Sequence, residues 1–235
     1  MKQLVALVTG ATEGIGRATA IALGQAGYAV GVTARTAAKV TALEAELTGL
    51  GITATGFPAD VSSPEQVRAM LDHVSARLGA PDVLVNNAGI AIAKPFVDMT
   101  LEEWDRTFAT NVRSLYLVTH GVLSAMRQRG RGDIVNIASI AGKNGVQNAA
   151  AYSASKHAVM GFSRSLMLEV RKEGIRVISI CPGSVDTPLM RNSPQFSPNW
   201  DRILKPEDVA ATIVAALALP ARAMVNEIEI RPANP

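Results

Sequence analysis

The first sixteen residues constrain the fold more than any other part of the chain. Leu4 to Val8 is an unbroken apolar run, as is typical of a strand buried on both faces of a parallel sheet. The segment Thr9 to Gly16 follows with three glycines, and a helical sequence begins directly after it. Glycines at a strand-to-helix junction allow a tight turn, and the helix N-terminus then offers free N–H groups to a phosphate. We therefore predict a dinucleotide-binding βα unit, although the spacing is Gly-x-x-x-Gly-x-Gly.

Strand-like and helix-like segments alternate along the rest of the chain. Such alternation predicts an α/β fold with a doubly wound, mostly parallel sheet of Rossmann type and helices on both faces. One helix is expected from about Leu101 to Gln128, with Asn111 on its inward face. A buried amide there is either a satisfied structural group or part of a polar network. No repeat or linker interrupts the 235 residues, so we predict one domain, 1–235.

The composition limits the kinds of partner. The formal net charge is +3, but the basic residues are scattered along the chain, so we expect no nucleic acid partner. The apolar segments are too short for a signal peptide or a membrane span, which predicts a cytoplasmic protein without a membrane partner. Cys181 is the only cysteine and follows an apolar run, which favours a buried filler over a nucleophile. Metal ligation is not expected, because the three histidines have no matching cluster of carboxylates or cysteines: His73, His120 and His157.

The end of the second predicted strand points to the form of the nucleotide. In dinucleotide folds an acidic residue at this position binds the adenosine ribose, whereas an arginine accommodates a 2′-phosphate. Here the strand ends in Thr33-Ala34-Arg35, and no carboxylate is near. A guanidinium can pair with a phosphate through two hydrogen bonds. Arg35 therefore favours NADP(H) over NAD(H).

Two residues near the start of a later helix have the spacing of a proton-transfer pair. Tyr152 and Lys156 are four residues apart, so they share one face of the helix that we predict there. The ammonium favours the phenolate, so we expect it to lower the pKa of Tyr152 from its ordinary value of about 10. A phenol that titrates nearer to neutral pH is a better general acid or base. Taken alone, the pair also fits an ordinary amphipathic surface.

Several motifs along the chain jointly resemble the short-chain dehydrogenase/reductase family, in its shorter, single-domain branch. They are Thr9-Gly10-x-x-x-Gly14-x-Gly16, Asp60-Val61, Asn86-Asn87-Ala88-Gly89, Asn111, Ser139, Tyr152-x-x-x-Lys156 and Pro182-Gly183. The resemblance covers nearly the whole chain. It implies an oxidoreductase that transfers a hydride between NADP(H) and a small-molecule carbonyl or secondary alcohol. It also implies a homo-oligomer, a dimer or a tetramer.

The resemblance also assigns roles to individual residues. Tyr152 would be the general acid in reduction and the base in oxidation, and Lys156 would lower its pKa and bind the nicotinamide ribose. Ser139 would hydrogen-bond the substrate oxygen, and Asn111 would hold a water that links Lys156 to solvent. The expected cofactor contacts are Gly10, Thr12, Gly14, Ile15, Gly16, Arg35, Asp60, Val61, Asn87, Ala88, Gly89, Tyr152, Lys156, Pro182, Gly183, Val185 and Thr187.

The sequence leaves the substrate and some alternatives open. The segment at about 187–205 contains several prolines with Met190, Phe196 and Trp200, which predicts a mobile, apolar lid over the site. Such a lid fits many carbonyl compounds equally well. A cofactor-binding sensor or scaffold without turnover is one alternative, and the same chemistry with NAD(H) is another. A sugar epimerase or dehydratase of the family's longer branch is disfavoured by the glycine spacing and by the missing substrate domain.

Overall fold

The apolar runs of the sequence form the parallel strands of one sheet. The computed structural model describes residues 3–193 and 198–233. The strands are β1 (Val5–Thr9), β2 (Ala29–Ala34), β3 (Ala54–Pro58), β4 (Val83–Asn86), β5 (Gly132–Ile137), β6 (Ile175–Pro182) and β7 (Glu227–Ile230). The helices are α1 (Gly14–Gln25), α2 (Ala37–Gly49), α3 (Pro64–Arg77), α4 (Leu101–Phe108), α5 (Ser114–Arg129), α6 (Ala150–Val170), α7 (Pro188–Arg191) and α8 (Pro206–Leu217).

The order of the strands confirms the predicted Rossmann-type sheet. The seven strands lie in the order β3-β2-β1-β4-β5-β6-β7, and every pair is parallel. The direction of winding reverses beside β1, where Val8 pairs with Val32 on one side and Val85 on the other. Ligands of such sheets bind beyond the carboxyl ends of the strands at this reversal. The fold therefore indicates where a site belongs.

Alternate residues of each strand supply a separate hydrophobic core on each face of the sheet. On one face the strands pack against α1, α2 and α8, which contribute Leu23, Leu47 and Ile213. On the other face they pack against α3, α5 and α6, including Met70 and Met126. Helices thus cover both faces, and the strands read as continuous apolar runs because both of their faces are buried. Within the described ranges no helix has the length and apolar character needed to cross a membrane.

The predicted helix from about Leu101 to Gln128 is helical over that range, but a π turn divides it. Helix α4 ends at Phe108, a π-helical turn occupies residues 109–113, and α5 begins at Ser114. A π turn admits an extra residue and redirects the side chains within it, and such turns occur often at functional sites. Asn111 lies in this turn and is buried. The insertion lets its amide reach groups outside the helix, as described below.

A chain of buried amides and hydroxyls fixes α5 and α6 to the middle of the sheet. Asn86 Nδ2 on β4 donates to Thr119 Oγ1 at 3.0 Å and to Asn136 Oδ1 on β5 at 2.9 Å. Asn136 Nδ2 in turn donates to Ser163 Oγ on α6 at 2.8 Å. Buried polar groups with complete hydrogen bonding favour one arrangement of the core. Helix α6, which contains Tyr152 and Lys156, is therefore held in register with the strand that precedes Ser139.

Candidate active site

The carboxyl ends of the strands open into one large cleft of about 670 Å³. Nearly all of the predicted site residues line it. These are Gly10, Thr12, Gly14, Ile15, Arg35, Asp60, Val61, Asn87, Ala88, Gly89, Ser139, Tyr152, Lys156, Pro182, Gly183, Val185 and Thr187. Two others, Gly16 and Asn111, lie outside this lining. The fold thus gathers residues that span most of the chain into one concave surface.

The glycine-rich turn after β1 forms the floor of the cleft. Gly10 and Gly14 have φ angles of 61° and 53°, in the left-handed region that favours glycine. A Cβ on Gly10 would lie 2.8 Å from the Cα of Ala88, and one on Gly14 would lie 3.0 Å from Cγ2 of Thr187. The turn therefore packs closely against its neighbours. Helix α1 begins there, and the side chain of its N-cap, Glu13, makes no capping hydrogen bond, which leaves N–H groups available to an anion.

Gly16 was predicted to contact the cofactor, but it does not line the cleft. It instead allows the close packing of this turn. A Cβ at Gly16 would overlap the carbonyl oxygen of Gly10 and Nδ2 of Asn87. That amide nitrogen donates to the carbonyl oxygens of Thr9, at 3.0 Å, and of Gly10, at 2.9 Å. Asn87 therefore links the loop after β4 to the glycine-rich turn, and only a glycine at position 16 leaves room for this link.

The end of the cleft beside β2 and β3 is rich in charge. Arg35 is exposed there, close enough to Asp60 to influence its titration. Burial raises the pKa of the Asp60 carboxyl, but hydrogen bonds from Ser62 and the charge of Arg35 outweigh this effect, so the pKa lies below its ordinary value. Two further charged residues, Glu13 and Lys39, line the same end. They were not predicted, although one lies within the glycine-rich turn and the other four residues after Arg35.

The opposite end of the cleft brings together Ser139, Tyr152 and Lys156. Ser139 follows β5 directly, and its Oγ accepts a hydrogen bond from Ala141 N at 3.1 Å. Lys156 is buried, and its Nζ lies 5.8 Å from the centroid of the Tyr152 ring. The same Nζ donates to the carbonyl oxygen of Ile137, the last residue of β5, at 2.8 Å. Two hydroxyl groups and an ammonium thus border one small volume.

The expected direction of the pKa shift of Tyr152 was wrong. Burial raises the pKa of Tyr152 above 10, and the neighbouring Ser139 hydroxyl only partly opposes this effect. Burial also lowers the pKa of Lys156 from 10.5 to about 8. The ammonium of Lys156 does attract a phenolate, but the removal of both groups from water has the larger effect on their pKa values in the folded chain. Near neutral pH the phenol is therefore protonated.

Asn111 lies behind the wall of the cleft, and its side-chain nitrogen and oxygen both have hydrogen-bond partners. Its Oδ1 accepts from Ile90 N at 2.8 Å, and its Nδ2 donates to Ile90 O at 3.0 Å and to Ser155 Oγ at 2.9 Å. Ser155 donates to the carbonyl oxygen of Tyr152 at 2.7 Å. Asn111 is therefore a satisfied amide that also connects the π turn to α6 through Ser155. Gly89 separates it from Lys156, since a Cβ there would lie 3.3 Å from Asn111 Oδ1 and 3.7 Å from Lys156 Nζ.

Only some residues of the predicted lid line the cleft. Met190 lines it, together with Pro188, Leu189 and Pro198. Trp200 lies outside the lining, and the guanidinium of Arg191 is 5.0 Å from the centroid of its ring. Phe196 falls outside the described residues. The wall beside Ser139 contains several side chains that were not predicted, because their chain positions carry no polar motif: Ile90, Ile140, Val146 and Gln147.

Cys181 and His73 pack against structural partners. Cys181 is buried beside the thioether of Met160, and burial raises the pKa of its thiol to about 11, which agrees with a filler and not a nucleophile. His73 contacts Thr55 Oγ1 at 3.0 Å and packs against the ring of Phe57. In the part of the chain that the structure describes, no group of three potential ligands is arranged to bind a metal ion.

Comparison with known proteins agrees with this arrangement. The family model described as short chain dehydrogenase matches residues 4–197. A Streptomyces virginiae protein assigned as the ketoacyl reductase of the monensin polyketide synthase is 46% identical over 187 residues, which are 79% of this chain and 72% of the relative. The 3-oxoacyl-acyl-carrier-protein reductase FabG of Pseudomonas aeruginosa is 40% identical over 191 residues, 81% of this chain and 77% of the relative.

The fold, too, has a close counterpart among solved structures. A variant of actinorhodin polyketide ketoreductase with NADPH superimposes with a TM-score of 0.92 at 37% identity. The match covers 98% of this chain and 96% of that one. A parallel sheet of this order, with a glycine-rich turn and a Tyr-Lys pair in one cleft, defines a dehydrogenase of Rossmann type. The chain belongs to the short chain dehydrogenase family, and it is an oxidoreductase.

Proposed function

We propose that the protein transfers a hydride between NADP(H) and a carbonyl or secondary alcohol substrate, with Tyr152 as general acid and base. One observation carries the proposal: Tyr152, Ser139 and Lys156 border the same cleft as the glycine-rich turn. The names of the relatives support it, since they include reductases of ketoacyl groups. Solved relatives that contain NADPH or NADP support the choice of nucleotide.

The residues of the cleft fit such a nucleotide. The glycine-rich turn and the uncapped start of α1 would hold the pyrophosphate, because they present backbone N–H groups without side chains in the way. Asp60 and Val61 would border the adenine, and Arg35 would pair with the 2′-phosphate. Lys156 would hold the nicotinamide ribose, with Thr187 and Gly183 nearby. When bound, the nicotinamide supplies the hydride in reduction and accepts it in oxidation.

The chain's own groups manage the proton and the charge on the substrate oxygen. In reduction, the phenol of Tyr152 donates its proton to that oxygen, and its raised pKa keeps the proton in place until then. Ser139 Oγ donates a hydrogen bond to the same oxygen as negative charge develops there. The ammonium of Lys156 stabilises the phenolate that remains. Asn111 connects the π turn to α6 through Ser155. Its Oδ1 accepts one hydrogen bond and can accept a second, from a water that would return protons to Lys156.

Replacement of Tyr152 by Phe tests the proton transfer. We expect kcat for reduction of carbonyl compounds by NADPH to fall by about 10²- to 10⁴-fold, the usual contribution of a general acid. Binding of NADPH should change much less than kcat, because Tyr152 is only one of many residues expected to contact the nucleotide. Tyr116→Phe is the matched control, since Tyr116 is an exposed residue of α5. Unaltered reduction by Tyr152→Phe would refute this mechanism.

A panel of carbonyl compounds, followed by consumption of NADPH, separates catalysis from mere nucleotide binding. If the wild-type chain binds NADPH and turns over no compound of the panel, the sensor or scaffold alternative gains support. The same panel identifies the substrate class. We also propose that the enzyme is a cytoplasmic homo-oligomer, a dimer or tetramer, and light scattering after size-exclusion chromatography measures the number of subunits.

The preference for NADP(H) is tested at Arg35. Arg35→Ala should weaken NADPH by about ten-fold and leave NADH nearly unchanged, because only NADPH carries the phosphate that a guanidinium binds. Arg68→Ala is a suitable control, since this arginine is exposed on α3, outside the cleft. Dissociation constants for both nucleotides can be measured from the fluorescence of the reduced cofactor. Equal losses for NADPH and NADH would contradict the assignment.

A further inference from the structure

Two oppositely charged side chains meet on the wall of the cleft beside Arg35. Lys39 Nζ, in the first turn of α2, lies 3.1 Å from Glu13 Oε2 in the glycine-rich turn. Their side chains are 59% and 50% exposed, so both can move without disturbing the core. Both line the cleft, as do Arg35 and Thr36. The ion pair thus lies on the surface that a nucleotide would contact at this end.

The charges at this end are poorly matched to a 2′-phosphate while the pair is intact. A phosphate monoester carries about two negative charges at neutral pH. Arg35 supplies one positive charge, and Lys39 would supply the second. Glu13, however, compensates the charge of Lys39 and adds a like charge beside the phosphate. A lysine on a flexible stem can leave one anionic partner for another, whereas the carboxylate of Glu13 is repelled by the incoming group.

We propose that Lys39 is a second cation for the 2′-phosphate of NADP(H) and that Glu13 weakens the preference for NADP(H) over NAD(H). This inference rests on the proposed function. To contact the phosphate, Lys39 leaves Glu13. The carboxylate then stays close to a group of its own sign. The chain therefore discriminates between the two nucleotides less strongly than Arg35 and Lys39 alone would allow. Both residues thus determine nucleotide specificity: Lys39 raises the preference for NADP(H), and Glu13 lowers it.

The size of the effect follows from elementary electrostatics. A unit charge about 7 Å from a dianion, in a dielectric close to that of water, changes an affinity by about seven-fold at low salt and by about three-fold at 0.1 M salt. Removal of the Lys39 charge should have a similar magnitude and the opposite sign. NADH lacks the phosphate, so its affinity should change by less than about two-fold in either case. The ratio of the two dissociation constants is therefore the informative quantity.

The experiment compares Glu13→Gln and Lys39→Met in the full chain, with Kd for NADPH and NADH from nucleotide fluorescence. Glu13→Gln should tighten NADPH selectively, and Lys39→Met should weaken it selectively. Glu46→Gln is the matched control: Glu46 on α2 accepts from Arg17 Nε on α1 at 3.2 Å, so it joins the same two helices, and neither residue lines the cleft. This control should leave the ratio unchanged. Thermal melting confirms that each variant is folded.

The possible results separate this inference from the proposed function. If Glu13→Gln leaves the ratio unchanged, or shifts it toward NADH, the role of Glu13 is refuted. An unchanged ratio in Lys39→Met refutes the role of Lys39. In either case the proposed function survives if Arg35→Ala still loses NADPH selectively. If the wild-type chain binds neither nucleotide, both the proposed function and the inference fail.

Discussion

Replacement of Lys156 by Met should change the way in which stability depends on pH. Lys156 is only 6% exposed, and burial lowers its pKa from 10.5 to about 8 in the folded chain. The ammonium is therefore kept at an energetic cost at neutral pH. Between pH 8 and 10.5 the unfolded chain binds this proton while the folded chain has released it. By linkage, the free energy of unfolding of the wild type rises with pH through that interval.

The magnitude can be worked from the two pKa values. The cost of keeping the charge is about 3 kcal/mol at pH 7 and about 1 kcal/mol at pH 9.5. The Met side chain does not titrate. The difference in unfolding free energy, wild type minus Lys156→Met, should therefore rise by about 2 kcal/mol between these two pH values. Changes in packing, and loss of the hydrogen bond to Ile137, shift the difference equally at both and cancel.

Urea denaturation of both proteins at pH 7 and 9.5 provides the measurement. Lys143→Met is the matched control, because hydrogen bonds with Glu227 and Glu229 raise the pKa of Lys143 to about 12. A raised lysine pKa contributes stability that is fully present below 10.5 and is lost only as the pH approaches 12. The Lys143→Met difference should thus stay constant from pH 7 to 9.5. A Lys156→Met difference that is equally constant would refute the view that burial of the ammonium sets its pKa.

Two further predictions concern packing. Gly16→Ala should destabilise the fold by about 1–3 kcal/mol, because the added methyl group would overlap the Gly10 carbonyl and the Asn87 amide. Gly145→Ala is the control, since a Cβ there has no atom within 4 Å, and its unfolding free energy should stay within about 0.5 kcal/mol of the wild type in denaturation experiments on both variants. Cys181 should react with a disulfide reagent at pH 8 at least about a hundred-fold more slowly in the native than in the denatured protein, since its thiol is buried and its pKa is about 11. Rapid labelling of the native protein would contradict this placement.

Much of the fold could be predicted because strands and helices form largely through interactions between residues that are close in the sequence. A strand buried on both faces needs a continuous apolar run. A helix start favours a side chain that can accept a backbone hydrogen bond, followed by proline: Ser63 Oγ accepts from Gln66 N, and α3 begins at Pro64. The π turn that contains Asn111 could not be predicted in this way. Its neighbours are ordinary helical residues, and the π turn is stabilised by partners at Ile90 and Ser155, which are distant in the chain.

The candidate site shows the same division between local and distant causes. The four-residue spacing of Tyr152 and Lys156 is a local property, so the pair was predicted correctly on one helix face. The sign of the shift in the pKa of Tyr152 depends on how completely the surrounding chain excludes water, and spacing does not encode this. The contact between Glu13 and Lys39 joins residues 26 positions apart, so it follows from the packing of α1 beside α2.

The order of the strands has a consequence for the synthesis of the protein. β1 lies in the interior of the sheet, between β2 and β4, and all three strands are complete once residue 86 has been made. The charged end of the cleft, from the glycine-rich turn to Asp60, is therefore encoded in the first half of the chain. Tyr152 and Lys156 leave the ribosome only later. The residues proposed to bind the phosphates are therefore synthesised before the proposed proton donor, and because a domain generally folds as a unit, we expect both parts of the cleft to form together once the later strands are made.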